Sequence, residues 1–364
     1  MSARGPALPR KMQAVVTYAR GDYRVEEWDT PRAEAGEVVV KVMAAGVCAS
    51  DGKCHEGAPL FWGDETRPAY IKTPCIPGHE FIGEVVQLGE GAGEKHGLAI
   101  GDLAISEQIV PCWRCRFCKS GKYWMCIQAD VYGFRPYVNG AMAEYMKFPA
   151  GALNYKLPPD MPREKGVLIE PFSCSLHAVQ RGEIDFGDIV VIAGAGTLGL
   201  GMVGAAKLTH AGMVISCDLM DSRLAVARNM GADLCINPAK EDAVQRVLDL
   251  TDGYGCDVFI EATGHPQAVN MGLQMIRRLG TFVEFSVMSA PVTADWTTIG
   301  DTKELNIHGS HLGPYLYPLA IQYLYEGKIR SEGVVTHRFP LERFDEAMQK
   351  VHEAKDSLKV VLEP

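Results

Sequence analysis

The sequence is short of positive charge. Its 36 Lys and Arg stand against 45 Asp and Glu, a formal net charge of -9, and nowhere do basic residues gather into the patch that nucleic acid or an anionic membrane surface requires. Nucleic acid and membrane are therefore set aside, and a small molecule becomes the expected partner. A charged stretch followed by an apolar one is also missing from the start, where "MSARGPALPRK" is broken by Pro and Gly; no secretion signal is expected, and the expected location is cytoplasmic. The chain shows no internal repeat and no low-complexity tract. One uncharged run, 189–206 ("IVVIAGAGTLGLGMVGAA"), has the length of a membrane span. Its β-branched opening and its glycines read instead as strand, tight turn and helix.

Hydrophobic residues are plentiful, at 47% of 364 positions, enough for about two domains with sizeable cores. From about 12 to 160 the chain reads as short β segments divided by Gly and Pro, among them "KMQAVVTYA", "GEVVVKVMAAGV" and "GHEFIGEVVQLGE". From about 163 strand and helix patterns alternate, "IVVIAGAG" before "TLGLGMVGAAKLTHA", "MVISCDL" before "MDSRLAVARNMG", and "CDVFIEATG" before a helical "PQAVNMGLQMIRRLG". Such repetition implies a parallel sheet covered on both faces. Mixed elements return after about 303, with "YPLAIQYLYEG" and "LERFDEAMQKVHEA" as amphipathic helices. The expected fold is α/β: a β-rich domain over 1–162, completed by 304–364, and a doubly wound parallel sheet over 163–303.

Eleven cysteines without a secretion signal point to a reducing compartment, where thiols serve metals or sit buried. Seven are scattered, and most of them read as small core residues. The other four crowd into "PCWRCRFCKSGKYWMC": Cys112, Cys115, Cys118 and Cys126 follow C-x2-C-x2-C-x7-C. Four thiolates satisfy tetrahedral zinc completely, so the spacing predicts a closed, structural site. A disulfide or redox pair is the competing reading.

In "GAGTLG" the residues Gly194, Gly196, Thr197, Leu198 and Gly199 form G-x-G-x-x-G between an apolar strand and a helical stretch. Glycines there allow a tight turn and let a pyrophosphate approach the helix N-terminus. Asp218 ends the next apolar strand, where a carboxylate accepts hydrogen bonds from an adenosine ribose and repels a 2′-phosphate, which favours NAD over NADP. Arg223 either lies beside that ribose or is a helix surface charge. The bland alternative is a glycine-rich turn with a surface Asp.

A third, scattered set comprises Cys48 in "GVCASD", His79 and Glu80 in "PGHEF", and Glu170 in "IEPFSC". A thiolate, an imidazole and carboxylates can hold a zinc that keeps a position open for water or substrate. Each of these residues alone reads more simply as structural.

Together these stretches, in this order, resemble the zinc-containing medium-chain dehydrogenase/reductase family of alcohol and polyol dehydrogenases, over nearly the whole chain. The resemblance implies a GroES-like catalytic domain and a Rossmann domain with the active site in the cleft between them. It also implies two Zn2+ per subunit, NAD as cofactor and a homotetramer or homodimer. Catalytic zinc would be held by Cys48, His79 and a carboxylate. Glu170 stands where the alcohol dehydrogenases supply a second cysteine, which resembles the polyol branch, with Glu80 and Glu170 sharing the remaining coordination. Ser50 matches the Ser or Thr that takes the alcohol proton. "EFSV" (284–287) and "HGSHLG" (308–313) resemble stretches lining the nicotinamide. Lys53 departs from the His or Arg often found there, and His55 reads as a surface residue.

The lengthened segment before His79, "LFWGDETRPAYIKTPCIPGHEF", is similar to that of dehydrogenases acting on four-carbon polyols. Phe61, Trp62 and Tyr70 within it either wall a polyol pocket or pack at a subunit interface. The expected reaction is reversible oxidation of a secondary alcohol of erythritol or L-threitol to erythrulose. Alternatives are sorbitol, xylitol, galactitol, butanediol or L-threonine as substrate, or a non-catalytic zinc- and NAD(H)-binding sensor.

Overall fold

The computed structural model describes residues 5–135 and 138–364. The chain divides into two compact units, Met1–Glu170 with Val335–Pro364, and Pro171–Val334.

In the first unit, β-branched stretches build a seven-stranded sheet. Its order is Val335–Pro340, Lys359–Glu363, Val38–Val47, Glu80–Leu88, Leu103–Ser106 and Asn154–Lys156, with Tyr145–Phe148 also pairing Val38–Val47. The central strand is almost wholly apolar, and Val38, Val39, Val40 and Ala45 have no exposed surface. This sheet unites distant parts of the chain, since Val360 pairs Val47 and Gly46 pairs Glu80. Lys359, Cys48 and Glu80 therefore emerge at the same end of three adjacent strands.

In the second unit six parallel strands lie in the order Leu234–Ile236, Met213–Cys217, Ile189–Ala193, Cys256–Glu261, Ile276–Glu284 and Asn306–Gly309. That is the doubly wound order 3-2-1-4-5-6 of a Rossmann sheet. The uncharged run 189–206 resolves into the strand Ile189–Ala193 and the ten-residue helix Thr197–Ala206. Among the described residues no helix is long and apolar enough to cross a membrane.

Three expectations are corrected. The first boundary falls after 170 rather than 162, because the short helix Arg163–Gly166 packs on the strands Val38–Val47 and Glu80–Leu88 and Glu164 pairs with Arg338 at 2.6 Å. The second falls after 334 rather than 303, because Asn306–Gly309 extends the Rossmann sheet; this short edge strand is largely exposed and carries no apolar run to announce it. "PQAVNMGLQMIRRLG" is helix only over Pro266–Met275. The chain turns to strand at Ile276, where the Lys303 ammonium caps the helix end by donating to the carbonyls of Leu273, Gln274 and Ile276.

Candidate active site

At the convergent strand ends of the first unit, Cys48, His79 and Glu80 bring a sulfur, a ring nitrogen and a carboxylate oxygen within 4.8 Å of one another. Cys48 is the N-cap of the helix Ala49–His55, whose early turns also carry Ser50, half-buried, and Asp51, buried. Asp51 braces both other groups: its Oδ2 accepts the Cys48 N–H at 2.9 Å and its Oδ1 stands 3.7 Å from His79 Nδ1. Burial alone would push the His79 imidazole down, but the Asp51 carboxylate and the Cys48 sulfur outweigh it and raise it well above its usual value. Among the described residues His79 Nδ1 is buried without a hydrogen bond. The donor set and the carboxylate behind the imidazole fit a zinc ion bound through Cys48 and His79.

The two carboxylates differ. Glu80, 1% exposed, receives the Lys359 ammonium on both oxygens, at 2.7 and 2.5 Å. Burial works against the Lys359 charge, and Glu80 overcomes it and raises the ammonium above its usual value. The Glu80 carboxylate lies against Gly46, where a Cβ would collide with Oε2. Glu170, in the first turn of the helix Ile169–Arg181, falls outside the group of three and accepts a bond from the Gln108 side-chain amide at 2.5 Å. Its charge still reaches His79 and Lys359. Sequence reading missed Lys359 and Gln108: a lysine heading a C-terminal strand and a glutamine between two strands both look like solvent-facing residues, and only pairing across the sheet brings them inward.

His55, expected at the surface, is only partly exposed, its ring 4.8 Å from that of Tyr23, with Nδ1 3.2 Å from His352 Nε2. Phe61, Trp62 and Tyr70 belong to a small core with Cys54, Ile71, Cys75 and Phe134. Phe61 stacks on Phe134 at 5.1 Å, and the Phe134 ring lies 5.8 Å from that of His79. The lengthened segment thus packs, through Phe134, against a candidate metal ligand.

In the same unit the sulfurs of Cys112, Cys115, Cys118 and Cys126 also lie within 4.8 Å of one another, those of Cys115 and Cys118 at 3.5 Å. Backbone N–H groups of Cys112 and Cys115 point at the sulfurs of Cys126 and Cys112, at 3.3 and 3.4 Å, and all four thiols are free. The neighbouring Cys118 N–H draws the Cys115 thiol down to about 6. This closed set of four fits structural zinc. Cys115→Ser is expected to remove one zinc equivalent and lower the melting temperature while the Cys48–His79 site still binds metal. Zinc analysis with a melting curve checks this, and loss of both equivalents would contradict it.

In the second unit each motif glycine has its own reason. Gly194 has φ 102°, and a Cβ there would lie 2.7 Å from the Ala262 carbonyl; a Cβ on Gly199 would strike the Gly194 carbonyl; a Cβ on Gly196 would meet nothing within 4 Å. The first and third permit close packing, and the second leaves space beside the N-terminus of the helix Thr197–Ala206, which also contains Leu198. The N-cap residue, Gly196, has no side chain to cap that terminus, an arrangement suited to a pyrophosphate. Asp218 follows the strand Met213–Cys217 and accepts the N–H groups of Ala195 and Met220, both at 2.8 Å. Arg223 lies in the helix Asp221–Met230. Glu261 of "EATG", fully buried, accepts the Thr263 N–H at 2.7 Å and fixes the turn beside Gly194. Glu284 and Gly309, which begin or adjoin the segments 284–287 and 308–313, pair at the same sheet edge. Burial lifts Glu284 to about 7, and the Glu261 charge adds to it.

Comparison with known proteins follows this division. The alcohol dehydrogenase GroES-like domain matches residues 34–159 and the zinc-binding dehydrogenase domain matches 197–325. The chain is 50% identical to erythritol/L-threitol dehydrogenase of Mycolicibacterium smegmatis over 98% of its own length and 99% of that protein's. It is 34% identical to L-threonine 3-dehydrogenase of Pyrococcus horikoshii, covering 96% and 97%. A solved structure from Sinorhizobium meliloti, described as a zinc-binding dehydrogenase bound to NADP, superposes with a TM-score of 0.87 at 26% identity, covering 97% and 99%.

Proposed function

Since the chain belongs to the zinc-containing medium-chain dehydrogenase/reductase family and is an oxidoreductase acting on CH–OH donors, we propose that it oxidises a secondary alcohol of a four-carbon polyol, erythritol or L-threitol, to the ketose with NAD, reversibly. The observation that carries the chemistry is the grouping of Cys48, His79 and Glu80 at one end of three strands. The choice of polyol rests on the 50% identity with the mycobacterial enzyme, and the choice of NAD on Asp218, whose carboxylate repels a 2′-phosphate. A homotetramer is the assembly proposed with it, on the pattern of the polyol branch.

A zinc ion held by Cys48 and His79 would supply Lewis acidity that brings an alcohol pKa toward neutrality, and bound NAD would supply the hydride acceptor. The residues of the chain do the rest. Asp51 holds the Cys48 backbone and places its carboxylate beside the His79 ring, so the two donors are kept together. Ser50, two residues beyond Cys48, takes the alcohol proton and passes it outward. Phe134, with the lengthened segment behind it, limits how long a substrate fits beside His79. Thr197 and Leu198, with the N–H groups of their helix end, receive the pyrophosphate.

The test is product identification from erythritol, L-threitol, xylitol, sorbitol, 2,3-butanediol and L-threonine, each with NAD and with NADP. Erythrulose formed from the four-carbon polyols, with NAD preferred, is the expected result. Turnover confined to L-threonine would move the function to the reaction named for the Pyrococcus relative, and preference for NADP would overturn the reading of Asp218.

A further inference from the structure

His55 and His352 lie 297 positions apart in the chain, yet Nδ1 of the first is 3.2 Å from Nε2 of the second. Each stands at the end of a helix, His55 as the last residue of Ala49–His55 and His352 as the last but one of Phe344–Glu353, and the C-terminal end of a helix favours a cation. The two helices pack closely, since a Cβ on Gly52 would meet Val351 at 3.2 Å and the His352 ring at 3.8 Å. Packing also sets the His55 ring, which lies 4.8 Å from that of Tyr23, itself stacked on Phe344 at 5.8 Å. Behind His352 the Glu56 carboxylate stands 2.9 Å from Nδ1. It holds the ring proton on that nitrogen and leaves the Nε2 lone pair facing His55.

We propose that His55 and His352 form a further metal site, which takes a divalent transition ion such as zinc through one nitrogen of each ring and completes its shell with water. Two nitrogens 3.2 Å apart, each about 2.0–2.1 Å from a zinc ion, subtend about 100° at it, near the tetrahedral angle. The Glu56–His352 pair is the carboxylate–histidine arrangement that orients metal ligands. Burial and the neighbouring His352 draw the His55 imidazole down, which keeps it neutral and able to bind a metal, while the charges of Asp345 and Glu56 act the other way and favour a cation nearby. Imidazole donors select zinc, nickel or copper over magnesium and calcium. The His352 side chain keeps 27% of its surface exposed, so an ion can enter from solvent. Bound there, it ties the helix that begins beside Cys48 to the C-terminal helix of the same unit.

The experiment uses the full-length protein dialysed to constant metal content, so that its tightly held zinc stays in place. Zinc is then titrated in by calorimetry, and the melting temperature is followed with and without the added ion. Wild type should take up one further, saturable equivalent per chain and melt higher with it. His352→Gln should weaken that uptake at least tenfold and cancel the shift, as should His55→Gln, and Glu56→Gln should weaken it about tenfold through the loss of the orienting carboxylate. His352 is partly exposed near the end of its helix, so its variant keeps the test open if His55→Gln does not fold. A wild type with no further saturable equivalent, or one bound equally tightly by folded His352→Gln, would overturn the proposal.

Discussion

Cys48→Ala is expected to abolish alcohol-dependent NADH formation, lowering kcat/KM by about 10³-fold or more, with the protein still folded and still carrying the zinc of the four-cysteine lobe. The magnitude follows from the several kcal/mol that a Lewis acid contributes to charge stabilisation, each 1.36 kcal/mol being about a tenfold change in rate. Cys48 supplies the only sulfur of the Cys48–His79–Glu80 group. It is half-buried at the start of a short helix, so shortening it to alanine removes a donor without opening a core cavity. Steady-state rates with metal analysis on the same preparation check this. A variant that loses its catalytic metal and keeps its rate would show that the reaction does not pass through this group.

The second large effect concerns stability. Lys359→Met should destabilise the metal-free protein by roughly 3–5 kcal/mol, because it leaves the Glu80 carboxylate buried and uncompensated. The side chains of Lys359 and Glu80 are 4% and 1% exposed, so water screens neither. At about 2–4 °C per kcal/mol the melting temperature of the metal-free protein falls by the order of 10 °C. The double variant Lys359→Met with Glu80→Gln should recover most of the loss, since no net charge is then left unpaired. Zinc should also reduce the loss in the single variant, by giving the carboxylate a cation again. Differential scanning calorimetry of metal-free wild type, Lys359→Met and the double variant, and of zinc-loaded Lys359→Met, decides it, and a single-variant loss no larger than that of an exposed ion pair, about 1 kcal/mol, would mean that Glu80 finds another partner.

How much of this was legible in the sequence depends on how local each signal is. The four cysteines lie within fifteen positions and the glycines of the nucleotide turn within six, and for both the structure has the geometry the spacing implies. The strand Lys11–Ala19 coincides with the stretch read as β, because hydrophobic alternation is also local. The donors Cys48, His79 and Glu80 lie further apart and follow no period: their residue types alone make them candidates, and the resemblance is what joins them into one site. Lys359 escaped altogether, since its partner is 279 residues away and only the pairing of a C-terminal strand with Val38–Val47 brings the two together. The edge strand Asn306–Gly309 escaped for a different reason: largely exposed and only four residues long, it has no apolar face to read. "GTFVEFSV" reads as strand and is one over its first residues, but "IRRLG" before it continues a helical pattern, and the sheet register with Cys256–Glu261 overrides that preference.

The most direct test of the account is to deplete the protein of metal and titrate zinc back while following NADH formation from erythritol and L-threitol with NAD at 340 nm. Activity should return in proportion to the zinc equivalent that Cys48→Ala cannot bind, and the four-cysteine equivalent taken up by that variant should restore none of it. Full activity in the metal-free protein, or zinc uptake at Cys48 and His79 with no return of activity, would contradict the assignment of this group as the alcohol-oxidising centre.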